Sequence, residues 1–213
     1  MGATVTMPQI HAAADRLLER WSVPHRQFHT VRHLLHVLAR VDELDQGTHD
    51  QELVRLGAWY HGAVFDVQIL TGSTRGCEDE ATSAAFAVTE LLALGVPEAR
   101  ACRVGDLVAV LVAHDPDPTD TDATVLCDAD LGVLASEPQK YRTYLRNVRD
   151  EYADVPDVEF LRARRATITG LLARKAIYHS PCARPWEEAA RENLTAELQR
   201  VTRELASITP EEP

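Results

Sequence analysis

The stretch Ala58-Trp59-Tyr60-His61-Gly62-Ala63-Val64-Phe65-Asp66 constrains this chain more than any other. Leu53, Leu56, Trp59, Tyr60 and Val64 recur at helical spacing, which predicts a helix over residues 50–65. Yet the run carries an imidazole among apolar neighbours and a glycine directly after it, and glycine inside a helix costs about 1 kcal/mol relative to alanine. A second group, His29, His33 and His36, steps by four and then three and so shares one stripe of an earlier helix. An acidic pair, Asp128 and Asp130, stands far downstream. These three places can meet only in a fold that brings three helices together.

The same periodicity organises the rest of the chain. Ile10, Ala14, Leu17, Leu18 and Trp21 mark a helix over 8–21 that Pro24 breaks, and Val31, Leu34, Leu35, Leu38 and Val41 mark one over 30–44. Further helices are expected at 78–94, stopped by Gly95 before Pro97, and at 97–114, with the apolar run 107–112 as a buried segment. The rest fall at 123–134, 138–152, 157–174 and 186–207. Gly72 to Gly76 reads as a loop, and the prolines within 115–122 exclude a helix there. With no internal repeat or linker, the expectation is one all-α domain of about nine helices over residues 1–213, with 209–213 a frayed tail.

Composition narrows the function. A net charge of -11 argues against binding a nucleic-acid polymer, whose phosphates would be repelled. No apolar run reaches the length of a membrane span, and the first residues lack a signal peptide's basic flank and apolar core, so a cytoplasmic protein is expected. Cys77, Cys102, Cys127 and Cys182 stand far apart, consistent with reduced thiols. The acidic segment 115–122 lacks the glycine and bidentate glutamate of an EF-hand loop, which excludes that calcium motif.

Imidazole nitrogens together with a carboxylate suit first-row divalent ions, and a site with open positions can activate water. His33 and His61 would supply two nitrogens from adjacent helices. Asp128 and Asp130 must face different sides of one helix, so only one of them can be a direct ligand. His29 and His36 flank the cluster, as neighbours of the ligands or as surface residues. His114 ends an apolar helix, where it could line the pocket beside a substrate or complement the helix dipole. The competing reading is a helical scaffold whose histidines complete the core.

Six segments share a further pattern. Phe28-His29-Thr30-Val31-Arg32-His33-Leu34 resembles the entry segment of the HD-domain phosphohydrolases, and residues 59–66 resemble their W-[FY]-H-D-x-V-[FY]-D segment. Glu80 and Ser83 fit N-E-x-x-S-A with Asp79 in place of Asn, and Asp128-Ala129-Asp130-Leu131 fits D-x-D-L. Tyr141, Tyr144, Arg149, Glu151 and Tyr152 fit Y-x-x-Y…R-x-E-Y, and Ala190, Arg191, Asn193 and Leu194 fit A-R-x-N-L. In order and spacing, residues 28–194 resemble the small stand-alone branch of predicted metal-dependent HD-superfamily phosphohydrolases.

The resemblance implies an HD-like helical bundle with His33, His61 and Asp130 as metal ligands and Asp128 as the fallback. It implies Glu80 as an acid near the reacting water; beside it, His29, His114 and Arg149 are the candidate substrate contacts, Arg149 through a phosphate or, alternatively, only a solvated ion pair. The cofactor would be a divalent ion (Mn, Co, Ni, Zn, Fe or Mg), and the substrate a nucleotide or another small phosphate ester. Gly62 departs from the pattern, because the family places its doublet aspartate there. A single ion is therefore expected rather than a pair. Asp66, four residues on, would share the same face of a continuing helix and could take up the missing role. A catalytically degenerate module that binds a nucleotide or protein partner is the alternative, and the oligomeric state is open between a monomer and a homodimer.

Overall fold

Helix periodicity carries through to the architecture, which is all-α. The computed structural model describes residues 6–45, 47, 49–65 and 80–208. Among them run nine helices: α1 (Met7–Trp21), α2 (Val31–Glu43), α3 (Gln51–Tyr60), α4 (Glu80–Ala93), α5 (Glu98–Val110), α6 (Thr121–Asp130), α7 (Pro138–Glu151), α8 (Asp157–Ala173) and α9 (Glu187–Ile208). Short 3-10 segments, Leu131–Ala135 and Pro181–Trp186, follow α6 and precede α9. None of the described helices is long and apolar enough to cross a membrane.

Local chemistry sets where the helices start and stop. Asp50 and Asp120 cap α3 and α6 by accepting from the backbone N–H of Leu53 (3.1 Å) and Ala123 (3.0 Å). At the end of α4, Gly95 adopts φ +74°, and the N–H groups of Gly95 and Val96 return to the carbonyls of Leu92 and Leu91. This double bond pattern satisfies two orphan carbonyls and needs a residue at ease in the left-handed region. The acidic segment before α6 is engaged in the same way: Arg103 forks onto Asp120 and also meets Asp122.

The core is one cluster to which all nine helices contribute. Its centre is α6, buried at every position from 123 to 129, as expected of a helix enclosed by others. Across from it, α3 carries Gly57, where a Cβ would lie 2.9 Å from Leu126 Cδ2 and 3.4 Å from Leu107 Cβ. The absence of that carbon lets α3 seat against α5 and α6. Trp21, fully buried, closes the end of α1 and donates its indole N–H to the Trp59 carbonyl at 3.0 Å.

Three helices end earlier than their periodicity suggests. The expected helix over 50–65 stops at Tyr60. Continuing it would require the Ala58 carbonyl to accept from the Gly62 N–H. Instead that carbonyl takes the His61 Nδ1–H at 2.6 Å, and Arg26 Nη2 donates to the Gly62 carbonyl at 2.6 Å. Gly62 therefore lies in the turn after the helix, where the interior glycine penalty does not apply. The helix expected to reach 114 stops at Val110, and the one expected to reach 134 passes into the 3-10 segment at Leu131.

Candidate metal centre

Helix ends build this site. His61 is the C-cap of α3, Asp130 is the last residue of α6, and His114 lies four residues past the end of α5. Only His33 comes from within a helix, the first turn of α2. The C-termini of α3 and α6 thus meet here, where their partial negative charge favours a cation, while the N-terminus of α2 at His33 opposes it.

His33 Nε2, His61 Nε2 and Asp130 Oδ1 form a tight triangle. The two nitrogens are 3.2 Å apart, and the carboxylate oxygen lies 3.1 Å from His33 and 3.6 Å from His61. One ligand atom from each residue falls within 4.8 Å of the others. His61 and His33 are buried, walled by Trp21 and Phe28, whose rings lie 5.0 Å from His61 and 4.7 Å from His33. On its other side, Asp130 Oδ2 accepts from His114 Nε2 at 2.7 Å.

Hydrogen bonds assign the tautomers. Because His61 Nδ1–H is committed to the Ala58 carbonyl, its Nε2 presents a lone pair to the triangle. His33 Nδ1 is buried without a partner, so its proton belongs on Nε2, between Asp130 and His61. Electrostatics agree with this picture. Burial lowers the His61 pKa to about 4, which keeps the ring neutral at physiological pH. Burial alone would push the Asp130 carboxyl up, but the hydrogen bonds from His114 and His33 outweigh it and hold the group well below the usual carboxylate range.

The donor set fits a first-row divalent ion. Two imidazole nitrogens and one carboxylate oxygen are the ligand types such ions prefer. The His33 Nε2 proton sits where the three atoms converge, so an ion held there would require the ring to carry its proton on Nδ1, which is buried without an acceptor, at the cost of one unsatisfied N–H.

The remaining expected residues divide. Glu80 is the first described residue of α4, and burial raises its carboxyl pKa within the field of His114, Asp130 and His29. His29 stands edge-on to His33 with ring centres 5.3 Å apart, and its Nδ1 meets the buried Glu151 at 2.9 Å. For His36, burial lowers the pKa, with smaller contributions from Arg40 and His33. Asp66 lies outside the described residues.

Two further residues have partners of their own. Asp128 does not face the triangle: it is fully buried and accepts from the backbone N–H groups of His179 (2.9 Å) and Ser180 (2.6 Å). Arg149 is occupied elsewhere, donating to the carbonyls of Tyr152 and Val155 and to Asp157 and lying over Phe160. These contacts clamp the turn between α7 and α8, and none of them is to the triangle.

Arg26 and Arg174 escaped sequence reasoning. Arg26, 4% exposed, joins the His29 and Gly62 carbonyls and stacks on Phe65 at 4.4 Å. Arg174 donates to the carbonyls of Ala113 and His114. An arginine in a loop or at a helix end looks in sequence like any solvated cation, and nothing local distinguished these two. Compared with known proteins, the chain matches no family model, no curated protein and no solved structure.

Proposed function

We propose that this chain is a cytoplasmic metal-dependent phosphohydrolase of the HD kind, acting on a nucleotide or another small phosphate ester. The observation that carries the reading is the triangle of His33 Nε2, His61 Nε2 and Asp130 Oδ1, where the ends of α3 and α6 meet the first turn of α2. The order of the six HD-like segments supports it.

His33, His61 and Asp130 would hold the ion, with His61 locked by the Ala58 carbonyl and Asp130 steadied by His114. Bound there, a divalent ion supplies Lewis acidity, lowering the pKa of water and polarising a phosphoryl oxygen. Glu80, whose carboxyl burial raises above the usual range, is the group we assign to hold and return a proton beside the ion. His29, fixed by Glu151, forms the wall beside His33.

Gly62 favours a second reading, a module that binds a nucleotide or protein partner without turning a substrate over, because no carboxylate stands at the family's doublet position. One experiment separates the two. Metal content and phosphate release should be measured on a panel of nucleotides and phosphomonoesters, for the wild type and His61→Ala. The expected result is one ion per chain and turnover that His61→Ala abolishes. An ion without turnover would favour the module, and no ion in the wild type would overturn the metal reading.

A further inference from the structure

His114 carries a conformational anomaly that the metal ligands alone do not explain. Its φ of +47° is the only positive value at a non-glycine residue among those described. That region crowds the Cβ of any L-residue, and a residue is held there only when its surroundings over-determine it. Arg174 provides the restraint. Its Nη1 donates to the His114 carbonyl at 2.6 Å and its Nη2 to the Ala113 carbonyl at 2.7 Å, two acceptors past the end of α5. From this backbone, the His114 imidazole reaches Asp130 Oδ2 at 2.7 Å.

The brace continues into α9. Arg191 donates to the backbone carbonyls of Arg174 (2.8 Å) and Leu172 (3.1 Å) while Glu187 holds its Nε at 2.7 Å. Two residues along the same helix, Asn193 Nδ2 donates to the carbonyls of Leu134 (2.9 Å) and Ser136 (2.8 Å), pinning the 3-10 segment that follows Asp130. The chain carrying Asp130 and the chain carrying Arg174 are therefore tied to one turn of α9.

We propose that Arg174 is a positioning residue for the Asp130 carboxylate, acting through His114, and that Arg191 and Asn193 form the brace that keeps both in register. With Oδ2 occupied by His114, Asp130 presents Oδ1 to His33 and His61 in one orientation. Groups that orient a ligand's second oxygen in this way commonly change ion affinity by about 10–100-fold when removed. The role assigned to Arg174 rests on the metal reading for its consequence, and on the hydrogen bonds alone for its geometry.

The test compares Arg174→Met, which keeps the stem and loses both donors, with Arg174→Lys, which keeps one. In the metal-free protein, the His114 Nε2 proton should appear in imidazole ¹H–¹⁵N spectra as a hydrogen-bonded, slowly exchanging signal, weakened by Arg174→Lys and lost in Arg174→Met. Calorimetric titration with Mn²⁺ should show affinity at least about tenfold weaker in Arg174→Met. If Arg174→Met does not fold, the signal in Arg174→Lys decides: weakened supports the role, unchanged overturns it. A lower unfolding midpoint with the imidazole signal intact would reduce Arg174 to a helix cap and overturn the role. If the wild type binds no Mn²⁺, the metal reading falls, while the imidazole signal still decides the geometry.

Discussion

Asp128 and Asp130 stand two residues apart on α6 and serve opposite tasks. Two helical positions turn the side chain by about 200°, so one carboxylate faces the triangle and the other the backbone of residues 179 and 180. Asp128→Ala would leave two buried N–H groups without acceptors and should lower the unfolding free energy by roughly 2–4 kcal/mol in urea titration. Ion stoichiometry should stay at the wild-type value. Loss of ion binding with unchanged stability would reverse the two assignments.

Gly62→Asp introduces a carboxylate into a buried turn beside the triangle. Without an ion, the new charge is desolvated near ionised Asp130, and the unfolding midpoint should fall. With an ion, it adds an oxygen ligand and affinity should rise, so saturating Mn²⁺ should recover the lost stability. Paired thermal unfolding with and without Mn²⁺ checks both directions, and the same midpoint shift in both conditions would count against a metal centre.

Tyr60 precedes His61 but belongs to another network. Its hydroxyl donates to Glu90 at 3.0 Å, and Arg16 reaches the other oxygen at 2.9 Å. Tyr60→Phe leaves the buried Glu90 carboxylate with Arg16 alone and should cost about 1.5–3 kcal/mol of stability. Ion affinity should be unchanged, since the lost hydroxyl faces α4. Calorimetry on the variant tests this separation between neighbouring residues.

Acid should expose the caps of α3 and α6. The Arg103 fork holds the Asp120 carboxyl below the usual range, and Arg100 does the same for Asp50. A carboxyl depressed in the folded chain contributes fully above its unfolded pKa, here 3.8, and that contribution is lost as pH falls through the folded value. The stability gap between wild type and Asp120→Asn should therefore be constant above about pH 5 and shrink below about pH 4. A gap that persists at the lowest pH would mean that Asp120 acts through packing.

Helix placement was legible because apolar periodicity, proline breaks and Gly95 all act locally. The separation of Asp128 from Asp130 followed from the helical turn angle. The true end of α3 did not, since it depends on the His61 imidazole taking the Ala58 carbonyl and on Arg26 reaching Gly62, 36 residues further along the chain. The partners of Arg149 are hidden in the sequence for a related reason. A long cationic side chain can satisfy a carbonyl, a carboxylate or a phosphate, and only the tertiary neighbours choose among them. The left-handed backbone of His114 left no trace in composition, because its cause is an arginine 60 residues away.

Gly57 lies one helical turn before His61, and Leu126 lies one turn before Asp130. The close seating of Gly57 on Leu126 is therefore the fulcrum for the two residues above it. A methyl group at position 57 would meet Leu126 Cδ2 at 2.9 Å, so either that buried side chain must turn aside or α3 must move from α6. Movement of α3 would widen the 3.6 Å gap between His61 and Asp130 without altering a single polar atom, whereas a turn of Leu126 would leave it unchanged. The aperture of the triangle is thus calibrated in the hydrocarbon layer beneath it, by a carbon that the chain leaves out.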